Sequence, residues 1–173
     1  MVMGSLSQEA EVVVIGAGPG GYVAALRLAD LGKEVVLIEE REKPGGVCLI
    51  EGCIPSKVLI NVVELGNAAR EGKEMGLNIE RVEYDVDTLR GWTSKVVSSL
   101  TSGVGALLKQ RGVEVVHGKA QFSDNRTVLV DGGKVALKFK QCIIATGSRV
   151  TDLPFGQDIG IWSSAEALLL PSI

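Results

Sequence analysis

The sequence is poor in several residue types, and each shortage excludes a class of protein. Of its 173 residues only 4% are aromatic, one is histidine and three are cysteine. Three cysteines are too few for the disulfide framework of a small secreted protein, so they favour redox or metal chemistry. The net charge of −3 argues against non-specific nucleic-acid binding, because contacts with phosphates need a basic surface.

The sequence also has no long uncharged stretch and no targeting signal. Its longest uncharged run, 12–26, is interrupted by four glycines and Pro19, and it is shorter than the roughly 20 residues that cross a bilayer. The first eleven residues contain no basic side chain and no apolar core typical of a signal peptide. We therefore expect no membrane span, no nucleic-acid partner and a cytoplasmic location.

Glycine, by contrast, is abundant, with 22 residues, and one glycine cluster has a specific pattern. The apolar run 11–15 predicts a buried strand. It leads directly into G-x-G-x-x-G at Gly16, Gly18 and Gly21. Glycines in such a turn let the backbone approach a pyrophosphate, and the start of the following helix supplies N–H groups and a positive dipole end.

The elements that follow this glycine turn complete the pattern. Helical spacing over 20–31 is followed by a second predicted strand over 34–39, which ends at Glu39. An acidic residue roughly 20 positions after the glycines is what a dinucleotide site uses to bind ribose hydroxyls. The pattern therefore predicts a dinucleotide-binding unit, with a tight strand–helix turn that binds no ligand as the alternative. FAD and NAD both use this fingerprint, so the pattern alone does not choose between them.

The second half of the chain predicts two longer helices and then short strands. Helical periodicity runs over about 54–70, and again from Asp85, as N-cap, to about 111. The short β runs that follow predict a small antiparallel meander laid on the α/β unit: 113–116, 119–122, 127–130 and 135–139. A last strand is expected within 141–148.

Two of the cysteines, Cys48 and Cys53, are five positions apart. In a regular helix that spacing puts their Cα atoms roughly 8.6 Å apart, whereas a disulfide needs about 4.4–6.8 Å. If the sulfurs meet, the backbone between them leaves the helical conformation, and Gly52 permits this because glycine tolerates a positive φ. Pro55 suits the first turn of a helix. A helix N-terminus lowers the pKa of a thiol, so we predict a reactive dithiol in a strained loop that opens a helix.

The segment 45–57 reads GGVCLIEGCIPSK. It resembles the redox signature of the FAD-dependent pyridine nucleotide–disulfide oxidoreductases, and its ending GCIPSK is most similar to the branch that oxidises dihydrolipoamide with NAD. The family often has threonine at Val47 and asparagine at Ile50. The resemblance implies that Cys48 exchanges with substrate, that Cys53 passes electrons to FAD, and that Lys57 lies near the flavin. The alternative is that Lys57 is an ordinary solvated lysine without a role at the flavin.

The resemblance also implies a set of cofactor-binding residues and no metal. It places the backbone of Gly118 at the adenine end of FAD and the segment 145–148 close to the flavin nucleotide. Glu40, beside Glu39, is otherwise expected to be a solvated charge. The full set of expected FAD-binding residues is Gly16, Gly18, Pro19, Gly20, Glu39, Glu40, Gly46, Val47, Cys48, Cys53, Lys57, Gly118, Ala145, Thr146, Gly147 and Ser148.

The fold expected from this resemblance is α/β: a Rossmann-like FAD-binding domain, with a parallel sheet and helices, plus the small antiparallel meander. We expect an N-terminal tail over 1–10, the first segment of the FAD-binding domain over 11–150, and a connection towards an NAD-binding domain over 151–173. The 173 residues contain no second G-x-G-x-x-G and no histidine after His117. The resemblance therefore covers only the N-terminal part of a family member, and we expect this part alone to bind FAD weakly.

For the intact enzyme, the resemblance implies a homodimer that acts on the lipoyl group of a 2-oxoacid dehydrogenase or glycine cleavage complex, with NAD as final acceptor. Two alternatives stay open: another disulfide reductase of the glutathione or mercuric type, and an FAD-binding fragment without turnover. A zinc module of Cys48, Cys53, His117 and Cys142 is a third, disfavoured because structural zinc ligands come in close pairs. His117 is otherwise expected to be packed or solvated, and Cys142 to be an inert core thiol.

Overall fold

The computed structural model describes residues 6–151 and 160–170. Most of the predicted elements are present, and two short 3-10 turns, Gly72–Met75 and Asp131–Gly133, lie between them. In chain order the strands and α-helices are β1 (Leu6–Ile15), α1 (Pro19–Asp30), β2 (Val35–Glu39), α2 (Gly46–Glu51), α3 (Cys53–Glu71), α4 (Val86–Gln110), β3 (Glu114–His117), β4 (Ala120–Asp124), β5 (Thr127–Val130), β6 (Val135–Ile144) and α5 (Ser164–Leu168).

The six strands form one mixed sheet in the order β3-β2-β1-β6-β5-β4. Strand β1 is parallel to both β2 and β6, and β2 is parallel to β3. Strand β5 is antiparallel to both of its neighbours, β4 and β6. The expected α/β fold, a parallel sheet with helices joined to an antiparallel meander, is therefore confirmed.

Three strand predictions need correction. The run 113–116 was expected in the meander, but β3 pairs in parallel with β2, where Ile38 faces Val116. The runs 135–139 and 141–148 are not separate strands, because β6 continues from Val135 to Ile144. Strand β1 starts at Leu6 rather than at residue 11, since its first half pairs with the first half of β6.

The chain divides into two compact units. The first, 1–46 with 100–148, contains the whole sheet and nearly all of the buried apolar side chains. All five residues of β2 are buried, which is typical of a parallel strand covered on both faces. The predicted division into a tail, a domain and a connection stays a prediction, and residues 152–159 and 171–173 of that connection lie outside the described residues.

The second unit, 47–99 with 149–173, is mainly helical. Helix α4 begins as predicted, because the Asp85 carboxylate accepts a hydrogen bond from the backbone N–H of Thr88 at 2.9 Å. That bond holds the pKa of Asp85 below its usual value. Further along the chain, Ser163 and Glu166 form a reciprocal capping box at the start of α5. Arg90 donates hydrogen bonds to the carbonyl oxygens of Leu169 and Leu170 just after that helix.

Among the described residues, one helical stretch, 46–75, is long and apolar enough to cross a membrane by length and composition. The uncharged-run argument overlooked it. A single stretch of this kind is weak evidence for a span, and here the helix is interrupted at Gly52.

Candidate nucleotide and dithiol sites

The glycine turn lies in the first unit, between β1 and α1. Its shape depends on two close approaches: a Cβ on Gly16 would overlap the carbonyl oxygen of Ala145, and a Cβ on Gly21 would overlap that of Gly16. No side chain caps the start of α1 at Gly18, and Pro19 is its first residue. The positive end of the helix is therefore open to an anion such as a pyrophosphate.

A pair of consecutive glycines, Gly45 and Gly46, packs against this turn. The backbone N–H of Gly45 donates to the carbonyl oxygen of Ala17 at 2.8 Å. Gly46 has φ +58, and a Cβ on it would lie 2.7 Å from the Cα of Gly18. The structure thus brings together Gly18 and Gly46, two of the predicted cofactor residues. The sequence argument missed Gly45, although two consecutive glycines are a signal of close backbone approach.

Glu39 lies at the end of β2 with only 6% of its surface exposed. One carboxylate oxygen accepts from the N–H of Ala17 at 2.7 Å, and the other accepts from the N–H of Arg41 at 2.9 Å. The side chain therefore holds the glycine turn against β2, a role that the sequence argument did not foresee. Each carboxylate oxygen has a second lone pair, so these bonds are compatible with a ribose hydroxyl. Glu40 is exposed.

The other predicted residues of this unit follow the carboxyl ends of parallel strands. Gly118 comes directly after β3 and donates from its N–H to the carbonyl oxygen of Glu39 at 2.9 Å. Ala145 comes directly after β6 and donates to the carbonyl oxygen of Ile15 at 2.8 Å. The exposed residues that follow it are Thr146, Gly147 and Ser148. The carboxyl edge of a parallel sheet is where α/β folds bind nucleotides.

The dithiol lies in the second unit. Cys48 is in the short helix α2 and is half-buried, whereas Cys53 is exposed and is the first residue of α3; both are free thiols. The break between the helices falls at Gly52, as predicted. Its φ is −138 and its ψ is −92, so the expected positive φ was wrong. A Cβ on Gly52 would make only ordinary contacts, and the expected strained loop is replaced by a helix break.

The neighbouring Cys53 side chain is the largest cause of a raised pKa of the Cys48 thiol. Partial burial raises that pKa further, and the nearby Lys57 ammonium opposes the shift. The expectation of a lowered thiol pKa was wrong for Cys48, because the Cys53 side chain and desolvation raise it. Lys57, like Val47, is exposed.

The remaining candidates do not form a metal site. The Nδ1 atom of His117 lies 3.1 Å from the carbonyl oxygen of Arg41. Cys142 packs against the core of the sheet, and burial raises the pKa of its thiol. Across 6–151 and 160–170, no three or more His, Cys, Asp or Glu side chains come together, so the zinc alternative has no support.

Comparisons with known proteins agree with this architecture. Residues 10–170 match the family described as Pyridine nucleotide-disulphide oxidoreductase. Dihydrolipoyl dehydrogenase of Haloferax volcanii is 46% identical over 97% of this chain, and that of Bacillus subtilis is 44% identical over all of it. The HOCl-induced flavoprotein disulfide reductase RclA from Escherichia coli superposes with a TM-score of 0.73 at 25% identity over 91% of this chain. The chain spans 36%, 37% and 33% of these three proteins, respectively.

Proposed function

The chain belongs to the pyridine nucleotide-disulphide oxidoreductase family, and we propose that it is the FAD-binding, dithiol-bearing part of a dihydrolipoyl dehydrogenase. The observation that carries the proposal is the pair of free thiols, Cys48 in α2 and Cys53 at the start of α3, placed on the chain directly after the glycine pair that packs on the nucleotide turn. Relatives at 40–48% identity with this enzyme name support the choice within the family.

The residues of the first unit fit the pyrophosphate of FAD. The approach of Gly46 to Gly18 leaves bare backbone at the uncapped start of α1, where N–H groups and the helix dipole favour a phosphate. Glu39 lies behind the turn with a free lone pair on each oxygen for a ribose hydroxyl. FAD, when bound, supplies the two-electron acceptor that returns the dithiol to its disulfide.

The proposed reaction at the dithiol is a thiol–disulfide exchange. One thiolate of dihydrolipoamide attacks Sγ of Cys48 in the Cys48–Cys53 disulfide, so that a mixed disulfide forms and Cys53 leaves as a thiolate. The second substrate thiol then displaces Cys48, which gives lipoamide and the reduced pair. The raised pKa of Cys48 favours return of the proton to that sulfur. The assignment of the two thiol roles rests on the family resemblance.

The finer parts of the proposal rest on the family resemblance. They are NAD as final acceptor, a lipoyl-bearing 2-oxoacid dehydrogenase or glycine cleavage complex as partner, and a homodimer. A cytoplasmic location stays a prediction from the sequence. A glutathione or mercuric type of disulfide reductase has weaker support, because the relatives at 44% and 46% identity are dihydrolipoyl dehydrogenases, whereas the disulfide reductase RclA is 25% identical.

The proposal is tested with the oxidised chain in the presence of excess FAD under anaerobic conditions. Dihydrolipoamide is expected to free two thiols per chain, measured by alkylation and mass spectrometry, and to bleach the flavin absorbance. Cys48→Ser and Cys53→Ser are expected to abolish the bleaching, and Cys142→Ser serves as the matched control that retains it.

Other outcomes separate the alternatives. FAD binding without bleaching would leave a flavin-binding module that lacks dithiol transfer. Bleaching by glutathione but not by dihydrolipoamide would favour the glutathione type. Absence of FAD binding at any concentration would overturn the FAD proposal for this chain.

A further inference from the structure

The segment around Gly118 is held on one side by the end of β2. Gly118 donates from its N–H to the carbonyl oxygen of Glu39 at 2.9 Å, and His117 approaches the carbonyl oxygen of Arg41. Gly118 has φ +145, a conformation that residues with side chains rarely adopt. Gly118 has no side chain that could hold the segment in place. The position of the segment therefore depends on hydrogen bonds of the backbone and of neighbouring residues.

On the other side, the segment is held by Asp131, in the turn between β5 and β6. One carboxylate oxygen, Oδ1, accepts from the N–H of Lys119 at 2.9 Å, and the N–H of Asp131 donates to the carbonyl oxygen of Lys119 at 3.1 Å. A Cβ on Gly118 would lie 2.5 Å from Oδ1. The carboxylate therefore packs directly on the backbone of Gly118.

The turn that carries Asp131 is built to present this carboxylate. Asp131 has φ +49, and Gly132 and Gly133 follow with φ +67 and +100. Three successive residues in left-handed conformations are uncommon, and aspartate and glycine are the types that tolerate them. The residue types at 131–133 therefore permit the turn in which the Asp131 carboxylate lies over Gly118.

We propose that Asp131 is a positioning residue for the adenylate half of FAD: it holds the Gly118 backbone in the conformation that the nucleotide contacts. This inference rests on the proposed function and on the family resemblance, which places the backbone of Gly118 at the adenine end of FAD. Asp131 acts through Gly118 and Lys119 and needs no contact of its own with the cofactor. The antiparallel meander then contributes to the nucleotide site, although neither the G-x-G-x-x-G glycines nor Glu39 lie in it.

The test compares Asp131→Gly with Asp131→Asn. Glycine keeps the left-handed backbone but removes the side-chain acceptor, whereas asparagine keeps both the acceptor and the tolerance of positive φ. The dissociation constants of FAD and FMN are measured by flavin fluorescence, because FMN lacks the adenylate half. Loss of one partly exposed hydrogen bond is expected to weaken FAD binding about 3- to 10-fold in Asp131→Gly. Binding of FAD to Asp131→Asn is expected to stay within about twofold of wild type, and FMN binding is expected to be unchanged in both variants.

The outcomes distinguish the inference from the function on which it rests. Equal FAD affinity in wild type and Asp131→Gly would overturn the positioning role and leave FAD binding intact. Parallel weakening of FAD and FMN, or a large fall in the unfolding midpoint of the chain without nucleotide, would show a general structural role and also overturn it. Failure of the wild-type chain to bind FAD would overturn the proposed function first.

Discussion

At the scale of single residues, the buried carboxylate of Glu39 has a structural role as well as its proposed role in binding. In Glu39→Ala the N–H of the fully buried Ala17 loses its acceptor, and an unsatisfied buried donor costs about 1–3 kcal/mol. We expect the free energy of unfolding, measured by urea denaturation without nucleotide, to fall by that amount.

The neighbouring residue provides the matched control for Glu39. Glu40 is the same residue type one position further along the chain, but its side chain is exposed. Glu40→Ala is expected to change the free energy of unfolding by less than about 0.5 kcal/mol. Equal losses in the two variants would mean that the bonds of Glu39 to the glycine turn do not stabilise the chain.

The thiol pair permits a prediction about pH. The neighbouring Cys53 side chain is the largest cause of the raised pKa of Cys48, and Lys57 acts in the opposite direction. A raised pKa means less thiolate at a given pH, so Cys53→Ala should move the alkylation profile of Cys48 to lower pH and speed its reaction near neutrality. Iodoacetamide rates across pH in a Cys142→Ala background measure this.

A substitution at Lys57 tests the opposing contribution to the same pKa. Lys57→Gln is expected to move the alkylation profile of Cys48 to higher pH, because it removes the cation that favours the thiolate. Identical profiles in all variants would contradict the coupling of these three side chains.

The site residues show what a single sequence can and cannot specify. The glycine pattern, Glu39 at the end of a strand and the break at Gly52 were all placed correctly along the chain, because each follows from local spacing. The bonds of Glu39 to Ala17 and of Asp131 to Lys119 were not predicted. They join residues that are distant in sequence. The hydrophobic pattern of a sequence does not indicate the direction of a side chain at the end of a strand.

At the scale of an element, two neighbouring glycines of α1 are expected to behave differently. A Cβ on Gly21 would overlap a backbone carbonyl oxygen that has no freedom to move away, whereas a Cβ on Gly20 would lie 3.9 Å from Cβ of Ala145, an ordinary contact. Gly21→Ala should therefore destabilise the chain by about 3 kcal/mol or more. Gly20→Ala should be neutral or stabilise by up to about 1 kcal/mol.

Thermal unfolding of the two alanine variants beside wild type measures this difference. Equal midpoints would show that the turn relaxes around a methyl group at position 21. The same chemical change at adjacent positions makes this comparison independent of alanine's general preference for helices.

The strands show why element type is easier to predict than element pairing. The polar residue Lys140 lies between the runs 135–139 and 141–148, so the sequence indicated two strands instead of one. In the structure the first part of β6 lies between β5 and β1, and its last part pairs with β1 alone among the described strands. Similarly, the short run of β3 contains no signal that its partner is β2, because pairing depends on the path of the connecting helix α4.

At the scale of the whole molecule, burial is distributed unevenly between the two units. Apart from Leu49, every apolar residue of the described core belongs to the first unit. Local opening follows burial, so the dithiol-bearing unit should exchange its backbone amides with solvent more readily than the sheet does. Under the proposed function, the nucleotide turn belongs to the more protected unit and the dithiol belongs to the unit that opens more readily.

Helix α4 provides the sharpest test of this difference, because it begins in the second unit and ends in the first. Its buried residues, Thr101, Val104 and Leu108, all lie in the part that belongs to the first unit. That part also contains two glycines, Gly103 and Gly105, whereas 90–99 contains only Gly91, and each glycine lowers helix stability by about 0.8–1.0 kcal/mol relative to alanine. Burial and glycine content therefore predict opposite results within one helix.

We expect burial to determine the rate of amide exchange in α4. Backbone amides of 90–99 should then exchange at least about tenfold faster than those of 101–108. Hydrogen exchange read by NMR, and corrected for intrinsic rates, measures the two parts of α4 in the same sample. Faster exchange in 101–108 would mean that glycine content controls the opening of α4, and the inference that the two units differ in stability would then lose its main support. Because both parts belong to one continuous helix, differences in chain length and solvent conditions do not enter the comparison.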